Sequence, residues 1–479
     1  MLTDLSWLGQ GQQFPPASER ERIERYRLHE QLFLSLHNEA WAQEFRQMAR
    51  RLRVSDSKVD TIFNYHQLLS KKIADFICGE APTIETEGDT DSLQYILDQE
   101  SFASKLYEAM IDVTRYGNGI MKNVKQGVSV ANPMWWYPIV APDDLKRITQ
   151  HVIAYPTEPN QDGFYQKLYV EIHEAGLVRT RIYKIGQMAK KDSYFIGTIG
   201  AMEGEEKIAH TGLKDYAIQV LTNTTHSGSI YGLDDYTAIN TIVRAIMWRM
   251  HRADRILDKH SEPSMTGPTS ALERDEETGL WILRAGNYFR RDSKDDPEMS
   301  YVTWDGNLDA NFKEVEMLFN QLYILTEMGQ AFAEGQGDGG AASGRALRLR
   351  MTSPLVKAKR IANTNTAPVK RLICSLAAAN GIALDYDTLN ITWQDGLPDD
   401  ESETVSMLRE ATNNKAIMSQ YTALKRMGLS DDDVEAEMEQ MREEAAANTP
   451  PALSVIDGAM EADDEQETGP GDAESDTAL

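Results

Sequence analysis

Apolar residues in the first part of the chain recur at three- and four-residue spacing, the mark of amphipathic helices. A first helix is predicted over Ser18 to Arg53. Ser18 would be its N-cap, and Glu19, Glu21 and Glu24 crowd the first turns, where the helix dipole favours anions. Ile62, Tyr65, Leu69, Ile73, Phe76 and Ile77 predict a second helix from Asp56 to Cys78, with Gly79 at its stop. Leu93, Ile96, Leu97, Phe102, Leu106, Met110 and Val113 predict a third, from Asp91 to Tyr116, ended by Gly117-Asn118-Gly119.

From Ile120 to Leu221 the period changes to two. Lys167 to His173 and Leu177 to Tyr183 alternate cleanly around Glu174-Ala175-Gly176, which predicts a β-hairpin. Tyr216 to Leu221 reads as a further strand. Helical spacing then returns. Tyr231-Gly232-Leu233-Asp234-Asp235 opens a predicted helix over Leu233 to Lys259, with Ile239, Ile242, Val243, Ile246, Met247 and Met250 on its apolar side. Asn311 to Phe332 is a second helix of the same kind. The two bracket a small α/β insert, Ser261 to Ala310, with strand-like pieces at Leu280 to Arg284 and Ser300 to Trp304. A basic helix follows, bent at Pro354 and Pro368. Leu389 to Trp393 is a short strand, and Asp400 to Asn413, Ser419 to Met427 and Ser430 to Ala447 form a compact helical module.

Composition narrows the function classes. The chain has 479 residues, 41% of them apolar and 26% charged, which suits a globular protein and excludes collagen-like or wholly disordered ones. The net charge is −26, so the overall field repels nucleic acid, and any contact with DNA must be local. The charge is unevenly spread. Between Asp338 and Asp385 there is no acidic residue, while Arg345, Arg348, Arg350, Lys357, Lys359, Arg360, Lys370 and Arg371 give that stretch a net of +8. It reads either as a contact for a polyanion or as a solvated face paired with acidic neighbours. After Arg442 no cation follows, and residues 448–479 are expected to be a disordered acidic tail. Two cysteines, Cys78 and Cys374, are too few for a disulfide framework or zinc site and suit a reducing cytosol. No signal peptide and no run of about eighteen apolar residues is present, so no membrane span is expected.

Catalytic motifs are missing. Gly335-x-Gly337-x-x-Gly340 spells a dinucleotide fingerprint, but a helix and not a strand precedes it. The glycine-rich run Gly335 to Gly344 reads instead as a mobile loop. His29-Glu30 and His173-Glu174 lack the second histidine of a zinc helix, no Gly-x-Ser-x-Gly elbow occurs, and neither a cofactor nor a metal is expected. The aromatic cluster Asn132 to Pro138 is read as packing at a domain edge.

The order of parts resembles the portal protein, or head-to-tail connector, of tailed bacteriophages. The resemblance runs over about Ser18 to Ala447. It rests on Ala217 to Asn223, on Tyr231-Gly232-Leu233-Asp234-Asp235 opening a long helix that ends near Glu262-Pro263, on the insert and return helix, on Ser343-Gly344-Arg345-Ala346-Leu347, and on Trp393 to Pro398 with the helical module behind it. It implies a mainly helical α+β fold that is not an enzyme. Its parts would be a wing (1–232), stem helices (233–260 and 311–334) around a clip (261–310), and a tunnel loop (335–344). A bent helix and strand returning to the wing (345–396), a crown (397–447) and the tail would complete it. It further implies a homo-oligomeric ring, a dodecamer, at the portal vertex of the virion, made in the bacterial host cytoplasm. Double-stranded DNA would be packaged and ejected through it. Its partners would be the terminase large subunit, a head–tail adaptor, and the major capsid and scaffolding proteins. The DNA-channel residues would be Gly335, Gly337, Gly340, Ser343, Gly344, Arg345, Arg348 and Arg350, and the clip contacts Arg290, Arg291 and Lys294. The alternatives are a non-portal virion or scaffold adaptor protein, and an enzyme of unknown type.

Overall fold

The computed structural model describes residues 1–54, 57–125, 127–159, 165–188, 195–261, 308–329, 351–394, 401–412 and 418–447. Within 262–350 it also describes the short pieces 265–266, 272–274, 281–283 and 300–301 and the single residues 279, 295 and 349. The chain mixes helix and sheet and divides at Pro398 into two units.

Each of the three predicted N-terminal helices differs in extent from expectation. Ser18 falls in a one-turn 3-10 helix, Ala17–Glu19, and caps nothing with its side chain. Helix α1 (Arg20–Phe33) then stops, because Ser35 takes a positive φ of 64° that an α-helix cannot absorb. Two further pieces follow, α2 (His37–Ala40) and α3 (Ala42–Arg51). Helix α4 (Tyr65–Cys78) starts well after Asp56, where Asn64 Oδ1 accepts from the Gln67 N–H at 2.9 Å. Strand β2 (Thr83–Glu85) precedes α5 (Thr90–Gln99), which is capped by Asp89 and broken from α6 (Phe102–Tyr116) by Ser101 at φ 50°.

The β-rich part agrees closely with the alternation. A two-residue N-terminal strand, β1 (Gln13–Phe14), joins a seven-stranded antiparallel sheet with β5 (Trp136–Ala141), β6 (Asp144–Pro159), β7 (Tyr165–Glu174), β8 (Leu177–Met188), β9 (Gly197–Met202) and β10 (Lys207–His210). The predicted hairpin is β7–β8, closing at Glu174 opposite Leu177 around Gly176 at φ 74°. A second, three-stranded sheet is β11 (Ile218–Thr222), β3 (Asn118–Val124) and β4 (Gly127–Ala131). Lys122 Nζ on β3 reaches Glu171 Oε2 on β7 at 2.6 Å and ties the two sheets. Burial alone would raise Glu171, but His173 and Lys122 together hold it down to about 2. Trp136 and Tyr137 are buried, and Tyr137 packs on Trp7 and Phe14, so the aromatic cluster is core.

Helix α7 (Asn240–Ser261) begins later than Leu233, because residues 233–239 form a bridge and turns. Of the insert, the paired strands β12 (Met265–Thr266) with β15 (Ser300–Tyr301) and β13 (Leu272–Arg274) with β14 (Trp281–Leu283) are described. Helix α8 (Asp309–Thr326) ends at Glu327, φ 59°, short of Phe332. Helix α9 (Thr352–Ala379) holds Pro354 in its first turn, where a missing N–H has no helical partner, so this proline starts the helix and does not bend it. Pro368 lies inside α9. Strand β16 (Asn390–Thr392) pairs with β2. One core joins α3, α4, α6, α7, α8 and α9 through buried residues such as Phe45, Leu69, Met110, Ile246, Leu322 and Leu372. Cys78 lies in it, its thiol pushed up to about 12 by burial, and Cys374 packs half-buried against it.

The second unit contains α10 (Glu401–Thr412), α11 (Gln420–Arg426) and α12 (Asp431–Ala447), all three near their predicted bounds. Ser419 caps α11 and Ser430 accepts from the Asp433 N–H, so serines start two of its helices.

Candidate functional site: the root of the helix pair

Two of the motifs that carry the resemblance, Ala217 to Asn223 and Tyr231 to Asp235, meet where residues 231–239 lead into α7. Gly117 ends α6 at φ 84°, and a Cβ there would stand 2.2 Å from the Gly232 carbonyl oxygen. A Cβ on Gly232 would stand 2.0 Å from the Gly117 oxygen, so two backbones touch where no side chain fits. Asn118 Oδ1 accepts from the Gly232 N–H at 2.9 Å, and the Thr114 carbonyl from the Asp235 N–H at 2.9 Å. Asp234 Oδ1 accepts from the Thr237 N–H at 2.7 Å, while its other oxygen lies 3.4 Å from Arg25.

Asp235 is the centre of a largely buried polar knot. Lys357 of α9 is 2% exposed and donates to Asp235 Oδ1 at 2.6 Å and to the Thr326 carbonyl at 2.9 Å. Thr326 is the last residue of α8, so the ammonium also sits at the negative end of that helix. Asn223 Nδ2 donates to the second Asp235 oxygen at 2.7 Å. Burial pushes Asp235 above the usual carboxylate range, against the pull of Lys357 and Asn223. One turn along α9, Arg360 forks onto both oxygens of Glu327 at 3.1 and 2.8 Å, and its hydrogen bond holds Glu327 below the ordinary value. A further turn on, buried Asn365 accepts from the Thr222 N–H at 2.7 Å and donates to the Thr222 carbonyl at 2.9 Å. Its amide thus pairs with β11 as another strand would. Helix α9 therefore fastens three things at once: the start of α7, the end of α8 and an edge of β11.

Helices α7 and α8 pack on each other, with Arg249 of α7 donating to Glu314 of α8 at 2.7 Å, while Trp248 of α7 stacks on Phe45 of α3. Among the described residues, part of the outer side of α8 is left exposed. Met317 and Ile324 are 69% and 66% exposed and, seven residues apart, share one face of α8. Phe312, Leu325 and Val356 are exposed nearby in sequence on α8 and α9. A half-open cavity of about 560 Å³ lies beside the root, lined among others by Glu19, Arg22, Arg25, Tyr231 and Asp234. Its charges are matched to one another: Arg22 donates to Glu19 at 2.6 Å, and so does the Tyr231 hydroxyl at 2.9 Å. Among the described residues no group of histidine, cysteine and carboxylates could hold a metal ion, and no helix is long and apolar enough to cross a membrane.

The residues singled out for the channel and the insert, Gly335, Gly337, Gly340, Ser343, Gly344, Arg345, Arg348 and Arg350, and Arg290, Arg291 and Lys294, lie outside the described residues. The basic stretch is described from residue 351 on. There Lys357 and Arg360 are spent on Asp235 and Glu327, and Lys370 sits 5.4 Å over the Tyr386 ring. For Lys357 and Arg360 the structure favours the paired reading over the polyanion contact. Asn365 carried almost no signal in the sequence. A polar residue midway along a helical apolar stripe was the one hint available.

No curated protein matches the chain. Solved structures with a similar outline come from gene transfer agent particles. A chain of the virion of the native particle is 12% identical, over 76% of this chain and 89% of that one, with a TM-score of 0.42. One from the neck of the native particle with C12 symmetry gives 11%, 76%, 89% and 0.43. One from the neck of the empty particle with C6 symmetry gives 12%, 76%, 90% and 0.44. Residues 236–451 match the family described as phage portal protein, SPP1 Gp6-like. That match opens at Tyr236 in the root and takes in α7, the insert, α8, α9 and the helices after Pro398, so somewhat under half of the chain is similar to phage portal proteins of that family.

Proposed function

We propose that the chain assembles as a closed homo-oligomeric ring, a dodecamer, at the portal vertex of a phage or phage-like particle. Double-stranded DNA enters through the ring during packaging and leaves through it on ejection. The observation that carries this reading is the family match over residues 236–451. In this reading α7 and α8 are the stem around the channel. Residues 261–310 are the clip that meets the terminase large subunit and later a head–tail adaptor. Residues 335–344 are the tunnel loop, the helices after Pro398 the crown, and the β-rich body the wing, turned toward the major capsid and scaffolding proteins.

Two physical features support it. The uncovered apolar face of α8 is costly for a monomer and is relieved by a neighbour, as in a ring closed by head-to-tail contacts. The net charge of −26 makes a wall that does not grip phosphate, leaving weak contact to local cations such as Arg345 and Arg348. The role is structural and calls for no catalytic group. Mass measurement and negative-stain images of the purified full chain test it. A ring with a central hole is expected, and a monomer at every concentration up to tens of micromolar would overturn it.

A further inference from the structure

Three histidines are fully buried where the root of α7 meets the body: His29 of α1, His37 of α2 and His66 of α4. Their rings form a continuous row of tilted and edge-on contacts through one tyrosine, called here the stack. His37 and His66 are 5.7 Å apart between centroids, His66 and Tyr236 4.8 Å, and His29 and Tyr236 5.3 Å. Trp41 closes the stack, 5.3 Å from His37 and 5.7 Å from His66. Tyr236 and Asn240, at the head of α7, are the groups this stack holds. His66 Nε2 lies 2.9 Å from Asn240 Oδ1, and the Tyr236 hydroxyl 2.8 Å from Ser70 Oγ, which accepts in turn from Thr114.

The polar surroundings of His66 and His37 suit neutral rings and not charged ones, while His29 faces charges of both signs. With Asn240 Oδ1 as acceptor, His66 Nε2 carries the proton and its buried Nδ1 has no hydrogen-bond partner. The charges that act on His66 are those of His37 and His29, so each protonation opposes the next. His37 is faced by a backbone group of Ser35 and by the Trp41 and His66 rings. His29 Nδ1 lies 2.9 Å from the Arg115 carbonyl and its Nε2 3.8 Å from Asp234, a carboxylate shared with Arg25. Burial disfavours a charge on His29, the Asp234 carboxylate and the Arg115 carbonyl favour one, and the Arg25 and Arg115 guanidinium groups oppose it. From α7, Arg244 lies over Trp41, 5.8 Å from its ring, and Asp235 acts on Tyr236 but is held by Lys357.

We propose that this histidine stack is an acid-opened latch: neutral, it holds the root of α7 against α1, α2 and α4, and protonated, it lets the root go. The latch belongs to the single chain and does not rest on the portal reading. Burial is the main reason that His66 falls to about 3 and that His29 and His37 fall below the ordinary histidine value. The sign follows from proton counting. Below about 6.5 the opened state binds more protons than the closed one. Closure is therefore complete above that pH and weakens as pH falls toward the lower closed-state values, by about tenfold per pH unit for each histidine that titrates on opening.

Hydrogen exchange on the full chain between pH 7.5 and 5, corrected for the intrinsic rate, tests this. Peptides covering residues 236–246 should lose protection at least tenfold per pH unit below about 6.5, while α5, which carries no histidine, should not. His66→Gln retains an N–H for Asn240 but cannot titrate, and His37→Phe keeps a ring; either should flatten the slope at α7. An unchanged slope in both variants, or no slope in the native chain, would overturn the latch. Should the variants fold poorly, the side-chain nitrogen spectra of the native chain decide. Three histidines that stay neutral down to pH 5 support the proposal, and midpoints near 6.5 for all of them overturn it.

Discussion

Lys357 and Asp235 hold opposite charges away from water, and either alone would be stranded. Removing one partner of such a buried pair costs about 3–5 kcal/mol, whereas replacing both with apolar groups is far milder. Lys357→Met should therefore destabilise the first unit by that amount, and adding Asp235→Leu should recover part of it, read as shifts in the denaturant midpoint. Gly232 allows a second test. A methyl there meets the Gly117 carbonyl at 2.0 Å, so Gly232→Ala should cost about 2 kcal/mol or more, while Gly212→Ala, a positive-φ glycine with open space around it, should cost about 1. The residues of this knot stood in view in the sequence: Asn223 and Asp235 belong to motifs that marked the resemblance, and Lys357 to the basic stretch. Their roles were hidden because a sequence shows a charge and not its partner. Asp235 and Lys357 lie 122 residues apart and meet only through the tertiary fold.

Helices and strands were readable to the extent that their stops have a local chemistry. Gly117 and Gly176 mark the end of α6 and the β7–β8 turn, and both stand at positive φ as glycine permits. Ser35 and Ser101 do the same with no such signature, which is why two predicted helices proved to be broken. The late start of α7 has another cause. Residues 233–239 have helix-compatible composition, but Leu233 bridges Thr224 and the Asp235 N–H is bound to Thr114, so tertiary bonds claim the backbone first. At this scale the exposed face of α8 makes a prediction. Met317→Glu with Ile324→Glu changes two side chains that are mostly in solvent, so the melting temperature of the single chain should move by no more than a few degrees. Self-association should be lost, as measured by sedimentation. Unimpaired assembly would remove α8 from the interface.

For the molecule as a whole, charge and shape must serve the same task. In the proposed ring, subunits each carrying −26 would repel the DNA passing through, and the cations ahead of α9 are the proposed exception. Arg345→Glu with Arg348→Glu should leave the ring intact and lower the amount of DNA packaged or retained, with a defect that deepens at higher salt because the remaining contacts are screened. An intact mutant ring that packages normally would assign these arginines elsewhere. The most direct test of the portal reading is nuclease protection in particles assembled with and without this chain, all other components present. Particles lacking the chain are expected to hold no protected duplex DNA, and restoring the chain to restore it. Full-length protected DNA in particles that lack the chain would contradict the portal reading.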